Sequence, residues 1–300
     1  MSLPEPDEFV TGGMSDIGRV REVNQDYCGE FDDPHTRRRL WMVADGMGGH
    51  VGGEVASKMA VETVAEIFHA GGGNDATALL REALETANQR VHKAAQADMT
   101  LNGMGTTGVC LLFERGGRGC VAHVGDSRAY RLRGEQLEQI TEDRSVVAAL
   151  IRMGHISEAE AKRHPQRNEI LRAIGTHDQV EVQIAPLDIQ RGDQYLLCSD
   201  GLSSLVPDAD IADVLRRMEP REAVRNLVQR ANLEGGNDNI TVQVVRIPSE
   251  LPDAAARDRS ATQAPRSEER RGPPRWVWAA AVGIAGPLLW LLLWLLLGCR

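Results

Sequence analysis

The sequence predicts an α+β fold in which short strands carry carboxylates at their ends and amphipathic helices cover the sheets. Three observations lead there. Short apolar runs stop or start at an aspartate in four places: Leu40 to Ala44 before Asp45, Cys120 to Gly125 before Asp126, Tyr195 to Ser199 before Asp200, and Ile240 to Val245 after Asp238. Runs of that length, bounded by turn residues, read as buried strands. Two longer segments, 53–69 and 75–97, repeat apolar residues at helical spacing. Glycine turns punctuate a β-rich block between Thr106 and Leu132.

Taken in order, residues 1–8 are a frayed terminus and Phe9 to Asp16 an edge strand. Gly18 to Asp26 is a polar loop. Tyr27 to Phe31 and Leu40 to Ala44 form a strand pair. The first helix buries Val55, Met59, Thr63 and Ile67 with Ala56, Ala60, Val64 and Phe68 beside them, and stops at the glycines 71–73. The second turns Leu79, Leu80, Ala83, Leu84, Ala87 and Val91 inward. Strands follow at Thr106 to Phe113, Gly119 to Gly125, Ala129 to Leu132 and up to Ile140. The insertion 143–175 is polar and short of large apolar residues, which suits a flap; its Ser157-Glu158-Ala159-Glu160 forms a capping box. Strands at Val180 to Ala185 and Gln194 to Cys198, helices at 208–218 and 220–233, and a strand from Ile240 to Ile247 complete the domain, 9–247. Residues 248–275 are rich in Pro, Ala, Ser and charge and read as a disordered linker.

The net charge of −9 argues against a nucleic-acid binder, which needs a basic face. Five cysteines without paired spacing speak against a disulfide scaffold or a zinc site, and for a reducing compartment. The acidic start MSLPEPDEFV is no signal peptide. Trp276 to Leu297 is continuously apolar, about the ~20 residues a membrane helix needs, and holds four of the five tryptophans. Arg266, Arg270, Arg271 and Arg275 crowd its leading flank and only Arg300 follows. A single-pass inner-membrane protein with a cytoplasmic catalytic domain is expected.

The chemistry centres on Leu40 to Gly53, LWMVADGMGGHVGG. Five glycines within eight residues follow Asp45, so carbonyls stand bare beside a carboxylate, an arrangement suited to a hard cation. One aspartate in a glycine turn is most simply a solvated turn former. Four at strand mouths exceed what turn chemistry explains, and an oxygen-ligand metal site is the better reading. The loop is no nucleotide cradle, because it closes with Gly53-Glu54 and not Gly-Lys-Ser/Thr.

Six motifs occur in order: RxxNQD at 21–26, DGMGGH at 45–50, MGTT at 104–107, VGDSRAYRL at 124–132, SDGL at 199–202 and GGNDNIT at 235–241. Together they resemble the type 2C metal-dependent serine/threonine protein phosphatases, bacterial branch. The resemblance covers Phe9 to Ile247. It implies a four-layer α-β-β-α sandwich of two mostly antiparallel sheets and a pair of Mn²⁺ or Mg²⁺ ions at one end. Asp45 would bridge the ions, with the Gly46 carbonyl on one, Asp200 and Asp238 on the other, and Asp26 acting through a water. Asp126 with Asp200 resembles a third-metal site. Arg21 would grip the substrate phosphate as a bidentate fork, which a lysine could not reproduce. The pair of ions, roughly 4 Å apart, would activate water and relieve phosphoryl charge. Implied partners are phosphoproteins, with a serine/threonine kinase and its substrates among them, and membrane lipid through 276–297.

Two positions depart from the family. Gln25 stands where many members have Glu, which lowers the charge of the first site. Met47 stands where animal members have a histidine thought to protonate the leaving group. Nearby His50 fits a structural role better, His123 a packed core position, and His164 a surface position better than the substrate entrance. The alternative function is a noncatalytic scaffold that keeps the fold. Such a chain would usually lose metal aspartates or Arg21, and none is lost here.

Overall fold

The computed structural model describes residues 5, 8–49, 51–71, 75–161, 163–166 and 169–249. The expected linker and apolar segment, 250–297, and His50 lie outside the described residues. Among the described residues no helix is long and apolar enough to cross a membrane.

The elements run β1 (Val10–Asp16), β2 (Asp26–Asp33), β3 (Arg38–Met47), α1 (Gly52–Ala70), α2 (Ala76–Ala97), β4 (Gly105–Thr106), β5 (Gly108–Glu114), β6 (Arg118–Val124), β7 (Arg128–Arg133) and β8 (Gln136–Gln139). They continue with α3 (Val146–Arg152), α4 (Glu158–Ala161), β9 (Gln183–Asp188), β10 (Gln194–Cys198), α5 (Asp200–Ser203), α6 (Asp208–Arg217), α7 (Pro220–Leu233) and β11 (Ile240–Arg246). One sheet has the order β1-β11-β10-β7-β8 and the other β2-β3-β5-β6-β9, with the short β4 added to β3. Every pairing of named strands is antiparallel among the described residues.

Side-chain alternation along the strands builds three apolar layers. On β3, Leu40, Met42 and Ala44 pack with α1 and α2 residues such as Ala60, Val64 and Leu84. Trp41 and Val43 point the other way, into a layer between the sheets with Phe113, Tyr195, Leu197 and Val245. On the far side, Leu196, Val242 and Val244 pack with Leu215, Leu227 and Val228 from α6 and α7. Three apolar layers require four layers of structure, so the α+β sandwich with helices outside each sheet is observed. Trp41, Phe9 and Phe113 pack their rings in tilted and edge-to-face contacts in the middle layer. Burying each such side chain contributes ~1.5–3 kcal/mol.

Several boundaries differ from the sequence expectation, each for a physical reason. β3 runs past Asp45 to Met47, because Gly46 and Met47 pair with Thr106 and Gly105 of β4. Asp200 opens a short helix and not a loop. The strand expected at Val180 to Ala185 sits at Gln183–Asp188, where its register with β6 is set by pairs such as Val121 with Ala185. The insertion is not peripheral throughout. Ile174 is fully buried and exchanges two backbone hydrogen bonds with Thr106. Within it, the capping box forms, with the Ser157 amide and hydroxyl both donating to Glu160.

Candidate functional site

Strand direction decides where the aspartates go. In the six-stranded sheet Asp26 at the start of β2 pairs with Asp45 near the end of β3. Gly108 at the start of β5 pairs with Val124 at the end of β6, one turn before Asp126. In the other sheet Cys198, at the end of β10, pairs with Arg128 at the start of β7 and with Val242 near the start of β11. Antiparallel pairing thus brings Asp26, Asp45, Asp126, Asp200 and Asp238 to one end of the sandwich. Alternation turns Asp45 inward, since it follows Trp41 and Val43 on the face between the sheets.

The backbones of these residues are held by polar groups that the sequence reading did not single out. The Asp45 amide donates to Thr107 Oγ1 at 2.9 Å, and Thr106 Oγ1 donates to the Asp45 carbonyl at 2.9 Å. Thr107 Oγ1 lies 2.7 Å from Ser127 Oγ, which ties the two sheets together beside Asp126. Ser199 Oγ donates to Asp26 Oδ2 at 2.8 Å across the sheets. Gly46 is required by close approach: a Cβ there would meet the Gly53 carbonyl oxygen at 2.1 Å. The end of β3 therefore touches the start of α1 backbone to backbone. Gln25 Nε2 donates to the Gly49 carbonyl and steadies the glycine loop. Met47 lies in the β4 pairing and offers no protic group.

The opposite wall is loop. Arg21 follows β1 and donates to Asp238 Oδ2 at 2.7 Å. Asn239, buried beside it, donates from Nδ2 to the carbonyls of Ile17 and Val23 and accepts from the Gln25 amide. One asparagine thus fixes the whole turn that presents Arg21. All three of Ser199, Thr107 and Asn239 fall inside the six motifs, and their signal was the motif itself, since a hydroxyl or amide carries no periodicity.

Crowded carboxylates raise one another. Burial, with the charges of Asp200 and Asp238 adding to it, pushes Asp26 up to about 7 against the hydrogen bonds from Thr241 and Ser199. Burial and the charge of Asp200 push Asp126 up to about 7. Asp200 rises to about 6, chiefly through burial and then Asp238. Asp45 is raised well above the usual carboxylate range by burial and by Asp26, Asp200, Asp126 and Asp238. Arg21 is raised, first by its hydrogen bond to Asp238.

Asp26 Oδ1 and Asp200 Oδ1 are buried without a hydrogen-bond partner. Buried oxygens of that kind are rare unless something else satisfies them. An all-oxygen set of carboxylates with the Gly46 carbonyl at hand fits a hard divalent cation. Asp26 and Asp45 face each other in register on neighbouring strands. Among the described residues no group of three or more His, Cys, Asp or Glu side chains is gathered as a ready ion site. Protein partners hold two of the arms: Ser199 has Asp26 and Arg21 has Asp238.

A groove of about 1000 Å³ opens from this end. Arg21, Asp126, Asp200 and Asp238 line its floor, with α3 and the connection from α5 to α6 as walls. His123 is packed beneath the insertion, its Nε2 2.9 Å from the Glu142 carbonyl, and burial lowers it below the usual histidine range. His164 does not line the groove; its Nδ1 accepts from the Gln166 amide.

The family model for protein phosphatase 2C matches residues 18–234 of this sequence. The chain belongs to the protein phosphatase 2C family. It is a serine/threonine protein phosphatase acting on phosphoproteins. The serine/threonine phosphatase stp of Listeria welshimeri is 39% identical to it over 241 residues, 77% of this chain and 93% of that one. PstP of Mycobacterium tuberculosis is 40% identical over 233 residues, 78% of this chain and 44% of the longer relative. The crystal structure of the Mycobacterium tuberculosis phosphatase matches the present fold with a TM-score of 0.73 at 38% identity, covering 80% of this chain and 99% of that one. A catalytic domain of PstP solved in complex with two manganese ions matches with a TM-score of 0.71 at 36% identity, covering 80% and 98%.

Proposed function

We propose that this phosphatase hydrolyses phosphoserine and phosphothreonine in proteins at a binuclear Mn²⁺ or Mg²⁺ centre. The observation that carries this is the antiparallel pairing that brings five aspartates of both sheets to one end of the sandwich, three of which, Asp126, Asp200 and Asp238, line the groove beside Arg21. Asp45 and the Gly46 carbonyl, with Asp200 and Asp238, would hold the pair of ions, and Asp26 would act through a water. Asp126 with Asp200 would hold a third. When bound, the ions supply a nucleophile at neutral pH and relief of phosphoryl charge.

The chain's own residues do the rest. Ser199 orients the Asp26 carboxylate and is itself held by the Thr241 amide. Thr106 and Thr107 fix the Asp45 peptide, so its side chain projects from a rigid strand. Arg21 orients the phosphoryl group, its guanidinium matching two phosphate oxygens at once. Asp143 holds Arg128 against the groove wall by charged hydrogen bonds of 2.7–3.0 Å, and Gln139 Nε2 donates to Asp143 Oδ1 at 2.9 Å to steady it. Met47, at the position of the animal-type histidine, has no proton to give a leaving group.

The test is hydrolysis of an aryl phosphate and of a phosphothreonine peptide with Mn²⁺, then with EDTA. Turnover that survives complete chelation removes the metal reading. No turnover on either substrate with Mn²⁺ favours the noncatalytic scaffold. Asp126→Ala should weaken turnover of protein substrates while the paired ions stay bound.

The phosphatase is further proposed to be anchored in the bacterial inner membrane by 276–297, with its domain cytoplasmic and its targets, a kinase among them, near that surface. The apolar length and the arginine-rich leading flank support this. Carbonate extraction should leave the chain in the membrane fraction, and external protease should spare the domain in spheroplasts. Release into the supernatant defeats the anchor, and cleavage defeats the orientation.

A further inference from the structure

Asp238 differs from its neighbours in the site. Asp26 and Asp200 each keep one oxygen without a hydrogen-bond partner. Both oxygens of Asp238 are engaged: Oδ1 accepts from the Asn239 amide at 2.9 Å and Oδ2 accepts from Arg21 Nη2 at 2.7 Å. A divalent ion on Oδ2 would face the guanidinium across a single oxygen, and two like charges at that spacing repel, so the two compete for Asp238.

We propose that Arg21 and a divalent ion compete for Asp238 and exchange there, so that loading the metal site loosens the guanidinium for the substrate phosphate. This rests on the metal role given above to Asp238. The geometry suits an exchange by side-chain swing alone. The Arg21 turn is fixed at both ends by Asn239, through the Ile17 and Val23 carbonyls, and the Arg19 amide donates to the Gly236 carbonyl at 2.8 Å. The Arg21 side chain is 47% exposed and that of Asp238 29%, so neither is walled in. The same exposure bounds the effect. A half-exposed ion pair is worth little, so breaking it costs an ion only a few-fold in affinity. The consequence is a phosphate grip that stays folded away until an ion is in place, which couples substrate binding to metal loading without movement of the backbone.

The experiment is Mn²⁺ binding to the full chain, followed by the electron paramagnetic resonance signal of the free ion, with no substrate present. Arg21→Ala and Arg21→Gln should bind Mn²⁺ about three- to fivefold tighter at the site that Asp238→Asn removes. Arg19→Ala makes the same charge change on the same turn and should leave the affinity unchanged. In the parent chain, Mg²⁺ should release the Arg21 guanidinium, seen as faster rotation of its nitrogens by NMR. Unchanged or weaker Mn²⁺ binding in both Arg21 variants overturns the exchange. An equal gain in Arg19→Ala also overturns it, because bulk charge would then explain the effect. Parent chain that binds no Mn²⁺, or binds it equally after Asp238→Asn, defeats the metal role of Asp238 itself and the exchange with it.

Discussion

Asp26 and Asp45 are carried by paired strands, whereas Asp238 and Arg21 are carried by turns. The strand pair is locked on both sides. Its members are in register with each other, roofed by Ser199 and Thr107, and backed by the fully buried Leu40 to Ala44. The turn pair is half-exposed and held mainly through one asparagine. The difference teaches a division of labour. On the proposed assignment, the carboxylates built into the sandwich set the ion positions, and the turns add a further carboxylate, Asp238, together with the arginine that meets the phosphoprotein.

The largest effect should come from the locked side. Asp45→Asn and Asp200→Asn should each lower kcat/KM by at least ~100-fold, because even residues behind metal ligands commonly cost 10–100-fold. The melting temperature should hold or rise, since each change removes a carboxylate from a crowded set. Steady-state kinetics beside thermal melts check this, and parent-like kinetics in either variant would end the division proposed here. Ser199→Ala comes next. It deprives Asp26 of its 2.8 Å donor and should cost ~10–100-fold in metal affinity or turnover. A loss confined to stability would make Ser199 a packing residue only.

Arg21→Ala on the turn side should act more gently. Losing a charged hydrogen bond to phosphate costs ~1.5–3 kcal/mol, so kcat/KM should fall roughly tenfold or more, mostly through KM. Unaltered kinetics on a phosphothreonine peptide would take Arg21 out of the site.

Protons act directly on the buried carboxylates. Asp26 and Asp126 sit at about 7 and Asp200 at about 6 in the folded chain, against 3.8 as the ordinary carboxylate value. The folded state therefore holds protons that the unfolded chain releases. Without metal, the stability these groups contribute is full below about pH 4 and is lost as pH rises through 6–7. In EDTA the melting temperature should fall between pH 5.5 and pH 8, by on the order of 2–4 °C for each kcal/mol of linkage in a domain of this size. Added Mn²⁺ should reverse the trend, since cations replace the protons and bind best once these have left. Thermal melts at three pH values with and without Mn²⁺ measure it, and an EDTA melting temperature that climbs with pH would contradict it.

The strand-held half of the site was legible in the sequence because periodicity and aspartate placement speak together there. Apolar alternation at Leu40 to Ala44 fixes which way Asp45 points, and the glycines after it mark the backbone contact with α1. The turn-held half was legible only as motifs. Nothing in Gly18 to Asp26 says that Asn239, more than two hundred residues later, will fix its shape. The extension of β3 to Met47 was missed because its partner β4 is two residues long, too short to leave a pattern. The offset of β9 has a similar source: Pro186 sits within an edge strand whose pairing with β6, and not its own composition, sets the ends.

The smallest effect concerns the insertion, which joins both kinds of behaviour. Its middle has few anchors: the residues of α3 are not fully buried, and Ser145 with Ile170 makes an isolated bridge. Its last residues are different. Ile174 is fully buried and doubly bonded to Thr106, and Gly175 donates to Asn88 Oδ1 at 2.7 Å while adopting φ +91, where a Cβ would strike Val91. Thr106 in turn pairs with Gly46, next to Asp45 on β3. The insertion is thus free in its body and fastened at its exit to the rigid half of the site. Hydrogen exchange should separate the two parts: the amides of 146–153 should exchange faster than those of Leu40 to Ala44, and the Ile174 amide should be nearly as protected as the strand. Equal protection throughout 146–175 would make the whole insertion core. Rapid exchange at Ile174 would detach it from β3, and the contrast between a fixed and an adaptable side would then have to be drawn at Thr106.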